Sequence, residues 1–470
     1  MSLRDDAIAI WTAGLAAVDS AKSVEQQIRV QHDQLWIADN RIPMPEAGRI
    51  EVVGAGKAGA GMASGIEAAL LATNFADRIS GWVNVPADCV RPLKHIHLHA
   101  ARPAGLNEPT QEAVEGTQEI LRRLRSLSES DVCIVLLSGG ASALLCSPVP
   151  GISLSDKLSV TRALAGSGAP IHELNLVRTQ LSQVKGGRLA TACRAGTLVA
   201  LIISDVIGDP LEVIGSGPTI PSAPRAADAL QVLRHRELLD RIPPHVVAFL
   251  ERQTDATHST DLDTEVPLPP TVLNRIVASN SMAIDAAAVK AKAMGYEVQS
   301  LGSANAGEAA EEGHLLIGRL LAIGAESGGT PQASATGHPR RVCILSGGEP
   351  TVNLTARGSG TSGTHGGAVS RGGRNQELVL AAVTSHRNSA DWKNVVLLSA
   401  GTDGEDGPTD AAGAIADEAV VARIAASGLD PDSSLAWHDS YTIFNAVDGL
   451  FKTGPTHTNV MDLRVGLRSL

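Results

Sequence analysis

Short apolar runs alternate with helix-patterned segments along most of this 470-residue chain, and that rhythm constrains the fold more than any other feature. Runs such as "CIVLLS" (133–138) and "TLVALIIS" (197–204) carry apolar side chains on both faces of a strand. Such strands need cover above and below, which helices provide in a parallel α/β sheet. Strands are expected at 49–54, 81–85, 96–99, 133–138 and 197–204, then at 297–302, 341–346, 350–355 and 394–401. Helices are expected at 60–72, 108–125 and 173–184; in the last, Leu174, Val177, Leu181 and Val184 recur at helical spacing. Aromatics are only 2% of residues, so the core must be built from Val, Ile, Leu and Ala.

The length exceeds what one core usually holds, so two domains are expected, over 1–255 and 272–470. The polar, Pro-rich stretch 254–271 is the expected linker, and 325–340 a break within the second domain. Residues 356–374 are so rich in Gly and Ser that they read as a flap over a site. The net charge of −11 and the scarcity of aromatics argue against nucleic-acid binding, but a local cluster of cations can still attract a small anion. Five cysteines without a C-x-x-C pair fit a reducing cytoplasm and no structural zinc. The opening segment reads as a helix rather than an export signal, and no run reaches membrane-spanning length.

The candidate chemistry lies where strands end. "VVGAGKAGAG" places Gly54, Gly56 and Gly59 in the G-x-G-x-x-G spacing after a strand, a dinucleotide-binding pattern. Its usual acidic partner is missing, because the next strand ends in Asn84, Val85 and Pro86. Lys57 stands inside the turn, where a phosphoryl-transfer site would want a cation. Two further strands end in Ser-Gly-Gly, at Ser138, Gly139, Gly140 and at Ser346, Gly347, Gly348. Successive N–H groups in such turns can converge into an anion nest. Carboxylates follow strands at Asp205, Asp209, Glu349 and Asp403, as Mg²⁺-nucleotide chemistry requires. Arg178 and Lys185 lie two turns apart on one helix face and its end. Arg374 follows the glycines of "GGRNQE", where an Arg at a helix start would clamp an anion. His95, His97 and His99 share one strand face and read as exposed rather than as a metal triad. There is no P-loop and no G-x-S-x-G elbow.

Taken together, "GAGKA", "LLSGGASALL", "KGGRLA", "SDVIGDPLEVIGSGPT", "SGGEPTV", "GGRNQE", "SAGTDGEDGPTDAAGA" and "TGPTHTNVMDL" resemble the class II glycerate kinase family, from Val52 to Asp462 in the same order. The resemblance implies an N-terminal Rossmann-like domain and a C-terminal α/β MOFRL domain. It implies phosphorylation of D-glycerate, usually at the 2-hydroxyl, by ATP with Mg²⁺ in a cleft between the domains. The family's essential Lys and Arg fall on Lys57 and Arg374. Asp205 is then a catalytic candidate, and Asp205 and Asp209 are candidates for the metal. The chain departs from its relatives at Arg102-Pro103, at Thr179 and Gln180, and at Ala141, near the expected substrate pocket. The other readings are an NAD(P)H-dependent hydroxypyruvate reductase, suggested by the glycine spacing, and a non-catalytic binding protein. Small molecules are the expected partners, with no nucleic acid and no membrane, and the sequence leaves a homodimer open.

Overall fold

The computed structural model describes residues 2–221, 225–256, 269, 271–323, 340–353, 364–365, 368–369 and 371–470. Most of the expected linker, the break at 325–340 and most of the flap lie outside these residues. The chain divides into an N-terminal unit, Ser20–Val277, and a C-terminal unit, Met1–Asp19 with Ala278–Leu470.

The sheet of the N-terminal unit holds β1 (Ile50–Ala55), β2 (Ile79–Pro86), β3 (Ile96–Arg102), β4 (Val132–Leu137), β5 (Thr197–Ile203) and β6 (Thr271–Ala278). Their order is β3-β2-β1-β4-β5-β6, and β1 to β5 pair in parallel. The central strands β1, β4 and β5 are buried at every position, as their unbroken apolar runs require. Helices Gly59–Leu70 and Gln111–Arg125 match the expected elements closely. The third helix runs Ile171–Gln180 and stops short of 184, leaving Leu181 and Val184 buried in the turn that follows.

The C-terminal unit is a second α/β layer with a mixed sheet. Its strands are β7 (Glu297–Ser300), β8 (Arg341–Gly348), β9 (Val395–Gly401), β10 (Gly413–Asp417), β11 (Leu450–Phe451) and β12 (Asp462–Ser469). The order is β7-β8-β12-β9-β10-β11, with only β7 and β8 paired in parallel. The chain's last strand therefore sits at the centre of its sheet. Of the strand expected at 350–355, the described residues 350–353 form no strand, and Thr351 makes one isolated bridge to Glu308; 354–355 lie outside the described residues.

The opening helix, Leu3–Ala17, departs from the expected boundary by belonging to the C-terminal unit. Ser2 and Asp5 close a capping box at its start. Its apolar stripe of Ala7, Ile10 and Trp11 packs against Leu463, Val465 and Leu467 of β12, and Trp11 Nε1 donates to the Leu463 carbonyl at 3.1 Å.

Candidate active site

In the N-terminal unit, β1 and β4 run side by side to Ala55 and Leu137. Strands β2 and β3 lie to one side of β1, and β4 and β5 to the other. A parallel sheet opens a crevice at the carboxyl edge where its order reverses in this way. The two glycine turns leave the sheet at that point and interlock. The Lys57 N–H donates to the Gly139 carbonyl at 2.8 Å, and the Ala58 N–H to Ser138 Oγ at 3.1 Å. Gly54 lies within β1, while Gly56 takes φ +149°, and a Cβ on Gly56 would lie 2.0 Å from Ser138 Oγ. The Arg102 guanidinium and the Lys57 stem flank Gly140: a Cβ there would sit 3.3 Å from Arg102 Nη2 and 3.6 Å from Lys57 Cγ. The place of a dinucleotide site's acidic residue is taken by buried Asn84. Its amide donates to the Leu144 carbonyl at 2.9 Å and Thr117 Oγ1 at 3.3 Å, and its Oδ1 accepts from Trp82 Nε1 at 3.1 Å.

Asp205 and Asp209 are half-buried on the loop leaving β5. Asp209 is held at φ +55°, with its N–H bonded to the Val206 carbonyl at 3.1 Å. Among the described residues no group of three or more His, Cys, Asp or Glu could hold a metal ion by itself. Mg²⁺ needs only one or two carboxylates beside phosphate oxygens, and these hard oxygen donors suit it. His97 is exposed between buried Ile96 and Leu98, and its ring lies 4.2 Å from that of Trp82.

The C-terminal unit assembles a second charged cluster. Arg374 opens the helix Arg374–Ser385. Its Nε donates to Asp462 Oδ2 at 2.7 Å, its Nη2 to Asp462 Oδ1 at 3.0 Å and its Nη1 to Glu349 Oε1 at 2.8 Å. Burial works against the charge of Arg374, but Asp462, Glu349 and Asp406 outweigh it and hold the guanidinium above its ordinary pKa. The start of this helix is not open to an anion, contrary to expectation. Asp406 occupies it, accepting from the N–H groups of Asn375 at 3.0 Å and Gln376 at 2.8 Å. Gly373 is required by that approach, since a Cβ on it would meet the Asp406 carboxyl carbon at 2.3 Å. Burial pushes the Asp406 carboxyl up to about 6, against the two N–H bonds that favour its charge.

The second Ser-Gly-Gly turn also differs from the expected nest. Ser346, Gly347 and Gly348 stay in β8, opposite Arg464, Leu463 and Asp462. The Gly347 N–H is bonded to the Gly302 carbonyl at 2.9 Å. The segment instead presents acceptors: Arg464 Nη1 donates to Ser346 Oγ at 3.1 Å, and its Nη2 to the Gly348 carbonyl at 3.4 Å. Asp403 joins the edge of this cluster. A Cβ on Gly401 would lie 3.1 Å from its Oδ1 and 3.5 Å from Asp462 Oδ1.

Sequence reasoning assigned no role to Asp462, Arg464, Arg102 or Lys157. The signal for the first two was present in "MDLRVGLR", where Asp462 and Arg464 alternate with Leu463 and Val465 on what proves to be a central strand. A buried strand carries such charges only when they are paired.

Fold and geometry define the class: an α/β protein of two units, each gathering cations and carboxylates at strand ends. Residues 6–251 match a domain of unknown function (DUF4147), and residues 342–462 match the MOFRL family. The chain is 33% identical to "Glycerate 2-kinase" of Pyrococcus horikoshii, over 99% of this chain and 98% of that protein. It is 38% identical to "Putative hydroxypyruvate reductase" of Agrobacterium vitis, over 89% and 98% respectively. The crystal structure of glycerate kinase from Thermotoga maritima superposes with a TM-score of 0.78 at 30% identity, covering 99% of both chains. The chain belongs to the glycerate kinase family.

Proposed function

We propose that the protein is a glycerate kinase that transfers the γ-phosphoryl group of ATP to the 2-hydroxyl of D-glycerate. The new bond joins the hydroxyl oxygen to phosphorus, the bond to the ADP oxygen breaks, and the hydroxyl proton passes to a carboxylate. Lys57 is assigned to the transferring phosphoryl group and Arg374 to that group or the acceptor carboxylate. Asp205 is assigned the proton. Mg²⁺, when bound, spreads the phosphate charge, and Asp205 and Asp209 would supply its oxygen donors.

The observation that carries this reading is Lys57 in the turn leaving β1 at the sheet's carboxyl edge, with its stem and the Arg102 guanidinium both against Gly140. Two cationic side chains against one glycine suit developing phosphoryl charge. The Pyrococcus and Thermotoga relatives, both named as glycerate kinases, support the acceptor. In Arg374, the Asp462 bonds fix the guanidinium, while Glu349 is exposed and open to exchange with an incoming anion.

The name of the Agrobacterium relative keeps a reductase in view, and the glycine spacing matches it. Against it stand Asn84 in place of an acidic residue and the Lys57 N–H already bonded to Gly139. The test is ADP release from ATP and Mg²⁺ that depends on D-glycerate. NADH oxidation by hydroxypyruvate, with no such release, would establish the reductase instead.

A further inference from the structure

A second basic cluster in the N-terminal unit takes no part in the steps above. Lys157 lies in the helix Leu154–Gly166, Arg178 in the helix Ile171–Gln180, and Lys185 in the turn after it. The two helices share a core, with Val160 and Leu164 beside Val177. The turn is tied to the segment after Cys146 by bonds from Gln183 N to the Ser147 carbonyl (2.8 Å) and from Gln183 Nε2 to Ser147 Oγ (3.0 Å). Lys157 is 4% exposed and Lys185 1%. Lys185 Nζ donates to Ser216 Oγ at 3.0 Å, the Gly215 carbonyl at 3.2 Å and Ser142 Oγ at 3.4 Å. Lys157 Nζ is buried with no hydrogen-bond acceptor among the described residues.

Burying a charged group without a counter-charge is costly, and gathering like charges adds repulsion. Burial, and then Arg178 and Lys157, push Lys185 well below the ordinary lysine range. Lys157 is lowered chiefly by burial and also by Arg178 and Arg188, with the Cys146 thiol acting the other way. No carboxylate is among these groups. The backbone beside them is strained as well: Gly215, Ser216 and Gly217 take φ +59°, +66° and +60° in succession. A serine in that region is disfavoured and persists where its surroundings enforce it. Here Gly186 N bonds to the Ser216 carbonyl at 3.0 Å and Gly187 N to the Gly217 carbonyl at 2.7 Å, which directs the Ser216 hydroxyl at Lys185.

We propose that Lys157, Arg178 and Lys185, with the hydroxyls of Ser142 and Ser216, form a binding site for a small oxyanion. The anion supplies the negative charge that these three cations do not receive from side chains among the described residues. Under the kinase reading it is the acceptor's carboxylate or a phosphate group, and only that assignment rests on the reading.

The test is calorimetric titration of the full-length protein with inorganic phosphate and, separately, with D-glycerate, in the absence of nucleotide. The wild type is expected to bind at least one of them, and Lys157→Met to bind it about tenfold more weakly or worse, as loss of a charged hydrogen bond implies. Lys157→Met keeps the apolar stem and removes a buried charge, so its melting temperature without anion should equal or exceed that of the wild type. Displacement of bound phosphate by D-glycerate would assign the site to the carboxylate; displacement by ATP alone would assign it to a phosphate. The proposal is overturned if the wild type binds neither anion, or if both proteins bind with equal affinity. These readings need no turnover, so they stand apart from the outcome of the kinase assay.

Discussion

Asp462 grips Arg374 with both carboxylate oxygens, at 2.7 Å to Nε and 3.0 Å to Nη2, from the first position of the strand at the centre of its sheet. Asp462 is wholly buried, and Arg464 Nη2 lies 3.9 Å away as a second positive group. The geometry makes Asp462 the residue that orients Arg374. Replacing it by Asn should cost about 1–3 kcal/mol, because two charged donors lose their counter-charge. Thermal denaturation should show the lower melting temperature. Kinase assays on the same variant should show kcat falling further than KM changes, since a misdirected guanidinium weakens transition-state contacts first.

Asp406 gives a pH signature. Its folded-state pKa of about 6 lies above its ordinary value of 3.8, so the folded protein holds the proton more tightly. Its contribution is therefore most favourable below pH 4 and is lost as pH rises through 6. The wild type's stability relative to Asp406→Asn should fall by about 2–3 kcal/mol between pH 4 and pH 7 and level off above that. Urea denaturation of both proteins across this range measures the difference. A flat difference would mean that Asp406 titrates normally.

Gly56 is a steric linchpin for Lys57. With φ at +149° and Ser138 Oγ 2.0 Å from any added Cβ, Gly56→Ala should destabilise the protein by about 1–3 kcal/mol and displace the Lys57 turn. Pairing it with Ser138→Ala should recover part of the stability by clearing the oxygen, while the backbone strain remains. Equal melting temperatures for Gly56→Ala and wild type would contradict the interlocked geometry.

Asp205 and Asp209 should separate by kinetics. Asp209→Asn is expected to raise the Mg²⁺ concentration needed for half-maximal rate, with a smaller loss at saturating metal. Asp205→Asn should also raise the Mg²⁺ requirement and, in addition, lower kcat about 10²-fold or more at saturating metal, as loss of a general base does. Identical Mg²⁺ dependence in both variants and wild type would remove the two residues from the metal's reach.

The parallel sheet of the N-terminal unit was legible because its strands are buried on both faces and read as unbroken apolar runs. The strand Asp462–Ser469 was not, since its charges alternate with Leu463, Val465 and Leu467 as on a strand with one face in water. Only tertiary pairing reveals that Asp462 and Arg464 are both buried, 3.9 Å apart, inside the sheet. The same limit hid the true cap of the helix at Arg374. Asp406 follows it by some thirty positions, beyond the reach of any local spacing pattern. Lys57 stands out as a candidate because a cation inside a glycine turn departs from the dinucleotide pattern. Lys157 carried no such mark, since a lysine within an amphipathic helix reads as solvent-facing until the packing of its neighbours is known.

The most direct test of the account joins product chemistry to Lys57. Purified protein is supplied with D-glycerate, ATP and Mg²⁺, and the product is passed to enolase with no mutase present. The wild type should give an enolase signal, as 2-phosphoglycerate requires, and Lys57→Ala should lose about 10²–10³-fold in rate. No signal with the wild type, or near-normal turnover by Lys57→Ala, would contradict it.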